Sequence, residues 1–245
     1  MSHAAGPAAA RRDELAGNVA RVRARIAAAC AAAGRSPGDV TLIAVTKTWP
    51  AADVRLLADL GVLDVGENRD QEAAAKAGQC RDLPLRWHFL GQLQTNKCRS
   101  VASYAEVVHS VDRSRLVTAL SAAAVQAGRV LTCLVQVNLD PVAAGPGRPA
   151  GRGGARPADV PDLADAVSAA HGLRLGGVMA VAPLGADPGP AYDRLAEVAA
   201  RILADHPDAD WMSAGMSGDL EEAVAAGATH VRVGTAVLGL RPVLR

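Results

Sequence analysis

Short apolar runs alternate with amphipathic helical runs along this chain, and this alternation constrains the fold more than any other feature. Eight apolar runs have the length and composition of parallel strands buried on both faces. They cover residues 41–46, 62–66, 86–90, 106–111, 130–138, 173–181, 210–214 and 230–234. The intervening segments carry apolar residues at helical spacing, as at Leu195, Val198 and Ile202. Eight such units in 245 residues predict one α/β domain, a closed (β/α)8 TIM barrel.

An open doubly wound sheet is the alternative, but such a sheet normally has fewer strands, and no G-x-G-x-x-G pattern follows the first run. Residues 10–33 predict an extra N-terminal helix, which we expect to cover the bottom of the barrel. Residues 1–10 are expected to be flexible. The segment 140–158 is rich in glycine and proline and predicts a mobile loop after the fifth strand. The alternative is a lid over the catalytic face.

The composition argues against several classes of partner and site. Aromatic residues make up 2% of the chain and the net charge is +1, so neither nucleic acid nor a membrane surface is an expected partner. No apolar stretch is long enough to span a bilayer, and the N-terminus lacks the pattern of a secretory signal. The four cysteines are widely spaced, which predicts free thiols rather than a zinc site. We expect a cytoplasmic protein.

Lys47 ends the first apolar run, and Pro50 then stands where a first helical turn would begin. The carboxyl ends of barrel strands form the catalytic face of this fold. A lysine that is partly desolvated there is nucleophilic near neutral pH and can condense with an aldehyde. Position alone favours the alternative, in which the Lys47 stem lies along the strand end and its ammonium group reaches solvent.

Two small loops with hydroxyl groups follow the last two predicted strands, where barrels commonly bind phosphate. Gly234 and Thr235 follow the eighth strand, and Ser217 follows the seventh. Glycine lets the backbone approach an anion closely, while a hydroxyl group near a helix start can cap the helix or contact the anion. The two loops together predict a phosphate site. Neither has a Walker pattern, so a nucleoside triphosphate is not implied.

Polar residues also follow the second and third predicted strands. Glu67, Asn68 and Arg69 occur in succession, and they indicate either part of a site or a turn with a surface ion pair. His88 lies among large apolar residues, which is more typical of a hydrogen-bonded structural residue than of a base. No two His or Cys residues have ligand spacing on one element, so no metal site is predicted.

The order of these motifs resembles that of the pyridoxal phosphate homeostasis protein family, from about residue 12 to the end. Five segments carry the resemblance: Ala-Val-Thr-Lys at 44–47, Val-Gly-Glu-Asn-Arg at 65–69, Trp-His-Phe-Leu-Gly with Gln-Thr-Asn-Lys at 87–97, Gly-Met-Ser at 215–217, and Val-Arg-Val-Gly-Thr at 231–235. The chain departs from the family at 48–50, where a lysine before the proline is common. It also departs at 140–158, where the family has a shorter polar segment.

The resemblance implies a fold-type III barrel for pyridoxal 5′-phosphate (PLP), like the N-terminal domain of alanine racemase. It implies that Lys47 holds PLP as a Schiff base. It also implies that four residues surround the phosphate of the cofactor: Ser213, Ser217, Gly234 and Thr235.

By the same resemblance, Asn68 and Met179 line the cofactor ring, and Arg232 lies near the pyridine nitrogen or the phosphate. A permanent cation beside the pyridine nitrogen disfavours its protonation. PLP is then a weaker electron sink than it is beside a carboxylate.

The function implied is that of a PLP carrier in intracellular PLP homeostasis, without catalytic turnover of amino acids. The expected partners are PLP and PLP-dependent apoenzymes, and the chain is expected to be a monomer. The alternative is a PLP-dependent amino-acid racemase, which needs a second base. The chain's two tyrosines are Tyr104 and Tyr192, and we expect a packing role for Tyr192. A Schiff-base aldolase without cofactor is a further alternative.

Overall fold

The computed structural model describes residues 6–140 and 153–240, which form a closed barrel of eight parallel strands in sequence order. Each predicted apolar run contributes one strand, so the (β/α)8 prediction is confirmed and the open sheet was the wrong alternative. The strands are β1 (Thr41–Val45), β2 (Asp64–Glu67), β3 (Arg86–Phe89), β4 (Val107–Val111), β5 (Leu131–Gln136), β6 (Leu173–Met179), β7 (Trp211–Ser213) and β8 (His230–Val233).

Helices surround the barrel and connect successive strands. They are α1 (Pro7–Ala32), α2 (Ala51–Asp59), α3 (Asp70–Gln79), α4 (Cys98–Tyr104), α5 (Ser114–Ala127), α6 (Val160–Ser168), α7 (Gly189–Asp205), α8 (Leu220–Ala225) and α9 (Thr235–Leu238). Short 3₁₀ turns at Pro37–Asp39, Thr95–Lys97 and Pro157–Asp159 precede β1, α4 and α6. None of the described helices has the length and apolarity that a bilayer crossing requires.

Helix α1 lies against the side of the barrel, so the expectation that it covers the bottom was wrong. Its buried residues Leu15, Val19 and Val22 belong to one apolar cluster with Val231 and Val233 of β8. The physical reason is the shortness of α9. A four-residue helix after β8 leaves the outside of β8 and β1 uncovered, and the apolar face of α1 fills that position.

Residues 1–10 and 140–158, the two segments expected to be flexible, are described only in part. Helix α1 begins at Pro7, where proline is favoured because its missing N–H is not needed, so residues 7–10 are helical. Residues 1–5 and 141–152 lie outside the described part of the chain. The end of the long loop returns to β5, where the Ala155 N–H donates to the Gln136 carbonyl at 2.8 Å. A lid role for this loop stays a prediction. All four cysteines are buried free thiols, as predicted.

Gly91 packs its backbone against the turn that carries Asn68. A methyl group built on Gly91 would lie 2.1 Å from the Asn68 carbonyl oxygen, well inside the closest contact that real side chains make. The loops after β2 and β3 therefore approach each other so closely that only glycine fits, and this contact fixes where Asn68 lies.

We predict that Gly91→Ala lowers the free energy of unfolding by about 2 kcal/mol or more, because the Asn68 backbone must move to admit the methyl group. Urea-induced unfolding followed by circular dichroism measures the change. Gly78→Ala is the matched control. Gly78 lies in α3 with open space around it, and alanine there should stabilise the helix by about 0.5–1 kcal/mol. Equal effects of the two changes would contradict the role assigned to Gly91.

Candidate functional site

Lys47 lies at the carboxyl end of β1, half-buried at the mouth of the barrel. The next residue, Thr48, has φ of 70°, a conformation that is costly for a β-branched side chain. Two hydrogen bonds hold this turn: the Trp49 N–H donates to the Thr46 carbonyl at 3.0 Å, and the Thr48 N–H donates to the Glu72 carboxylate. Strained backbone supported in this way is typical of functional sites, and it directs the chain sharply after Lys47.

A buried ion-pair network lies beneath this turn. The Lys76 ammonium group donates to the Thr46 carbonyl and to Glu67 Oε1, both at 2.7 Å, and to Glu72 Oε1 at 2.6 Å. The Thr46 hydroxyl group donates to the same Glu67 oxygen at 2.6 Å. Burial raises the pKa of Glu67. The network connects the ends of β1 and β2 to α3, and so fixes the backbone that precedes Lys47.

The three lysines of the chain have different surroundings. Lys76 is buried and held by three acceptors, and the Lys97 ammonium group lies 3.9 Å from Asp70. Lys47 makes no ion pair with any residue that the structure describes. Lys47 is therefore the lysine whose amine is available at the barrel mouth for reaction with a ligand.

The loops after β7 and β8 meet beside Lys47. Strand β8 pairs with β1 in parallel register, with Val233 opposite Ala44, so Gly234 follows β8 close to the strand end that carries Lys47. The Ala236 N–H at the start of α9 donates to the Ser217 hydroxyl oxygen at 3.3 Å, which joins the two loops. Ser217 therefore contacts the start of α9 and does not cap α8, its own helix.

Several backbone N–H groups in these two loops are available to a ligand. No acceptor for them occurs among the described residues, and they belong to Ser217, Gly218, Gly234 and Thr235. Ser217 and Gly234 are half-buried, while Gly218 and Thr235 are exposed. N–H groups without acceptors suit an anion, since they donate several hydrogen bonds without a competing carbonyl. The two loops predicted to bind phosphate are thus joined, and their N–H groups lie on the same face of the barrel.

Tyr192 supports the loop after β7. Its side chain is fully buried, and its hydroxyl group donates to Asp219 Oδ2 at 2.8 Å. Asp219 in turn accepts from the Met216 N–H at 2.6 Å through its other oxygen. The packing role predicted for Tyr192 is confirmed, and the structure adds that the phenol fixes the Met216–Asp219 turn.

A chain of polar side chains crosses the barrel interior from Arg232 to Asp64. Arg232 Nη1 donates to Ser213 Oγ at 2.7 Å, and Ser213 Oγ lies 3.0 Å from His109 Nδ1. His109 Nε2 lies 2.8 Å from His88 Nδ1, and His88 Nε2 lies 2.9 Å from Asp64 Oδ1. His88 is thus a hydrogen-bonded structural residue, as predicted.

The chemistry of the groups determines the direction of every hydrogen bond in this chain. A guanidinium group only donates, so the Ser213 hydroxyl accepts from Arg232 and passes its own hydrogen to His109 Nδ1. His109 then carries its hydrogen on Nε2 and donates to His88, and His88 donates to the Asp64 carboxylate. Both imidazoles are neutral, and burial lowers the pKa of each.

Arg232 is held rigidly by this chain. Its second amino group, Nη2, donates to the Ala180 carbonyl at 2.7 Å, and the side chain is 5% exposed. Burial lowers the pKa of Arg232 to about 10, so the guanidinium group is still charged at neutral pH. The Ser213 hydroxyl is already engaged with Arg232 and His109, and its role as a phosphate ligand stays a prediction.

The two residues expected along a cofactor ring lie at strand ends on the same face. Asn68 is half-buried directly after β2, and Met179 is the buried last residue of β6, packed with Val107 and Leu134. Contact of either side chain with a ring stays a prediction. Sequence reasoning missed Lys76 and His109. The signal available for His109 was a polar residue inside an apolar strand run, which indicates a partner elsewhere in the barrel.

The buried histidines predict a loss of stability as the pH falls. Burial lowers the pKa of His88 and His109, and that of His230 to about 3. The unfolded chain takes up protons near pH 6.5 while the folded chain does not, so stability is present above that pH and is lost below it. Between pH 7 and pH 5.5 we expect His230 to lower the free energy of unfolding, measured in urea, by about 1 kcal/mol, and His88 and His109 to lower it further in the same direction. A free energy of unfolding that does not change over this range would contradict the assignment of these histidines as neutral in the folded protein.

The network below Lys47 predicts strong coupling between Lys76 and Glu67. Lys76→Met should lower the free energy of unfolding by about 3–5 kcal/mol, because the Glu67 carboxylate stays buried without its cation. The double variant Lys76→Met, Glu67→Gln should lose less free energy of unfolding than the two single variants lose together, since the glutamine amide carries no charge. A double-mutant cycle in urea measures the coupling, and additive costs would show that the two groups do not interact.

Comparison with known proteins agrees with this architecture. The family model of the alanine racemase N-terminal domain matches residues 13–242. A pyridoxal phosphate homeostasis protein of Mycobacterium bovis is 44% identical over 247 residues, and the match covers 94% of each chain. The protein of the same name from Pseudomonas aeruginosa is 43% identical over 233 residues, covering 93% of this chain and 96% of that one.

Two solved structures share this fold. PipY of Synechococcus elongatus, with PLP bound, has a TM-score of 0.76 at 34% identity, and the match covers 92% of this chain and 100% of that one. Alanine racemase of Streptomyces coelicolor has a TM-score of 0.72 at 20% identity over 94% of this chain and 59% of its own, which shows the shared fold alone. With matches to the family model and to its relatives over nearly its whole length, this chain belongs to the alanine racemase N-terminal domain family, among the pyridoxal phosphate homeostasis proteins.

Proposed function

We propose that this chain binds PLP and serves PLP homeostasis inside the cell, with the cofactor held as a Schiff base on Lys47. One observation carries the proposal. The amine of Lys47, free of ion pairs with the described residues, follows β1 beside the turn after β8, where N–H groups without acceptors collect. Relatives above 40% identity carry the name pyridoxal phosphate homeostasis protein, and PipY binds PLP in its solved structure.

The residues present fit the chemistry of this cofactor. Its phosphate is a dianion with three acceptor oxygens, and it suits the N–H groups of Gly234 and Thr235 together with the Ser217 loop. The hydrogen bond from the Tyr192 hydroxyl group to the Asp219 carboxylate holds that loop in place. When bound, PLP supplies an aldehyde that condenses with a primary amine, and Lys47 offers that amine at the mouth of the barrel.

Arg232 would face the ring of the cofactor from inside the barrel. Its guanidinium group is oriented by Ser213 and Ala180, so it presents a fixed positive charge that does not adjust to a ligand. Beside a pyridine nitrogen, that charge disfavours protonation of the ring. In the same proposal, Asn68 and Met179 line the cofactor ring. Ser213 orients Arg232 by accepting its hydrogen bond, and it is also a ligand of the phosphate.

The site is proposed to hold PLP rather than to turn over amino acids. Racemisation needs acid–base groups on both faces of the substrate. The Tyr192 phenol is buried and bonded to Asp219, and the Tyr104 hydroxyl oxygen is buried as well, so neither tyrosine is free to act as the second base. Reversible capture of a reactive aldehyde fits a carrier in the cytoplasm. That it acts as a monomer and passes PLP to apoenzymes is part of the same proposal.

Lys47→Ala should abolish covalent PLP binding. We expect the wild-type protein mixed with PLP to show a visible absorbance band, and borohydride reduction should fix the label on the peptide that contains Lys47. The variant should lose both signals completely, because an alanine has no amine to condense with the aldehyde.

The chain has three lysines, so peptide mapping by mass spectrometry distinguishes all of them. Lys97→Ala is the matched control, since it removes a partly exposed lysine from the same face of the barrel and should leave the band intact. Lys47→Arg keeps the positive charge but has no primary amine, so it should also lose the band. This variant shows whether the signal depends on the amine or only on the charge. A label of undiminished yield in Lys47→Ala would reject the assignment.

A further inference from the structure

A cavity of about 700 Å³ opens on the carboxyl face of the barrel, next to Asn68 and away from the loops after β7 and β8. We refer to it as the basic cavity, because its lining includes Arg69, Lys97, Arg113 and Arg115. Arg69 follows β2, Lys97 follows β3, and the two remaining arginines follow β4. Three successive strand ends thus each contribute a cation to the same volume.

The charges of the basic cavity do not cancel. Lys97 lies 3.9 Å from the Asp70 carboxylate, and Arg113 pairs with Asp112 and donates to the Leu93 carbonyl at 2.8 Å. Arg69 and Arg115 are exposed and make no ion pair with any described residue. Four cations against two carboxylates leave an excess of two positive charges, in a chain whose net charge is +1.

Stability does not explain this arrangement at the start of α5. The positive end of a helix macrodipole favours acidic residues in the first turn and disfavours cations there. Helix α5 has Arg113 at its N-cap, Arg115 in its first turn and no acidic residue in that turn. Cations around one cavity are what an anion site requires, and Arg69 and Arg115, which make no ion pair with a described residue, would gain a charged partner when the anion is present.

We propose that the basic cavity binds a small phosphate monoester. A dianionic phosphate matches the excess of two charges, and the forked guanidinium groups of Arg69 and Arg115 suit its oxygens. Phe89 and Leu93 supply an apolar part of the lining for the organic group of the ester. The volume lies in the range of small-molecule sites. The proposal rests on this geometry and does not depend on PLP binding at Lys47.

The experiment is a titration of the ¹⁵N-labelled protein with phenyl phosphate at constant ionic strength, followed by ¹H–¹⁵N correlation spectra. We expect saturable shifts in the amides of residues 68–71, 92–97 and 113–116. Replacing both Arg69 and Arg115 by glutamine should weaken this binding by about tenfold or more, since two charge-assisted partners are lost. Arg99→Gln, an exposed arginine on α4 outside the basic cavity, should leave the titration unchanged.

The same spectra separate this proposal from the cofactor proposal. Amides of residues 216–218 and 234–236 report the loops beside Lys47, and their shifts should be the same in the double variant and in the wild-type protein. Absence of saturable shifts around the basic cavity at millimolar phenyl phosphate would overturn the proposal, as would an unchanged titration in the double variant. Inorganic phosphate binding as tightly as phenyl phosphate would reject the role of Phe89 and Leu93.

Discussion

The pairing of β8 with β1 closes the barrel, and the rest of the site depends on it. The register places Val233 beside Ala44, so the last strand ends next to the first one. Residues almost two hundred positions apart in sequence thereby become neighbours. Parallel strands also all end at the same face, so the turns after β2, β3 and β4 open toward the solvent beside Lys47.

The barrel keeps its strand-end residues in place by satisfying polar groups in its interior. A single hydrogen-bonded chain joins Arg232, Ser213, His109, His88 and Asp64, with one donor direction throughout. A second network joins Lys76 to the carboxylates of Glu67 and Glu72. Buried polar groups are costly when unpaired, so each network specifies one arrangement of the strands that contribute to it. The positions of the residues at the mouth of the barrel follow from this fixed arrangement of the strands.

Sequence reasoning predicted the elements well because the signals were local. An apolar run of five residues between helical segments is sufficient to predict a buried strand, and all eight such runs became strands. The position of α1 was predicted wrongly, because it depends on the shortness of α9 at the other end of the chain. Lys47, the Ser217 loop and the turn at Gly234 were named from their positions at predicted strand ends, and the order of the motifs then assigned them to one cofactor. The supporting residues Lys76 and His109 were not named. Nothing local distinguishes Lys76 from an ordinary helix residue, and the polar His109 inside an apolar strand indicates a buried partner without saying which one.

By itself the sequence determined the repeated strand–helix unit, the lysine at a strand end and the small residues at two others, since these depend on spacing along the chain. The tertiary structure alone decided which groups pair. It assigned Lys76 to the buried network and Lys47 to the mouth, it ordered the hydrogens from Arg232 to Asp64, and it gathered four cations around one cavity. The physical reason is that hydrogen bonds and ion pairs depend on distance in space, and barrel closure sets those distances only after every strand has taken its register.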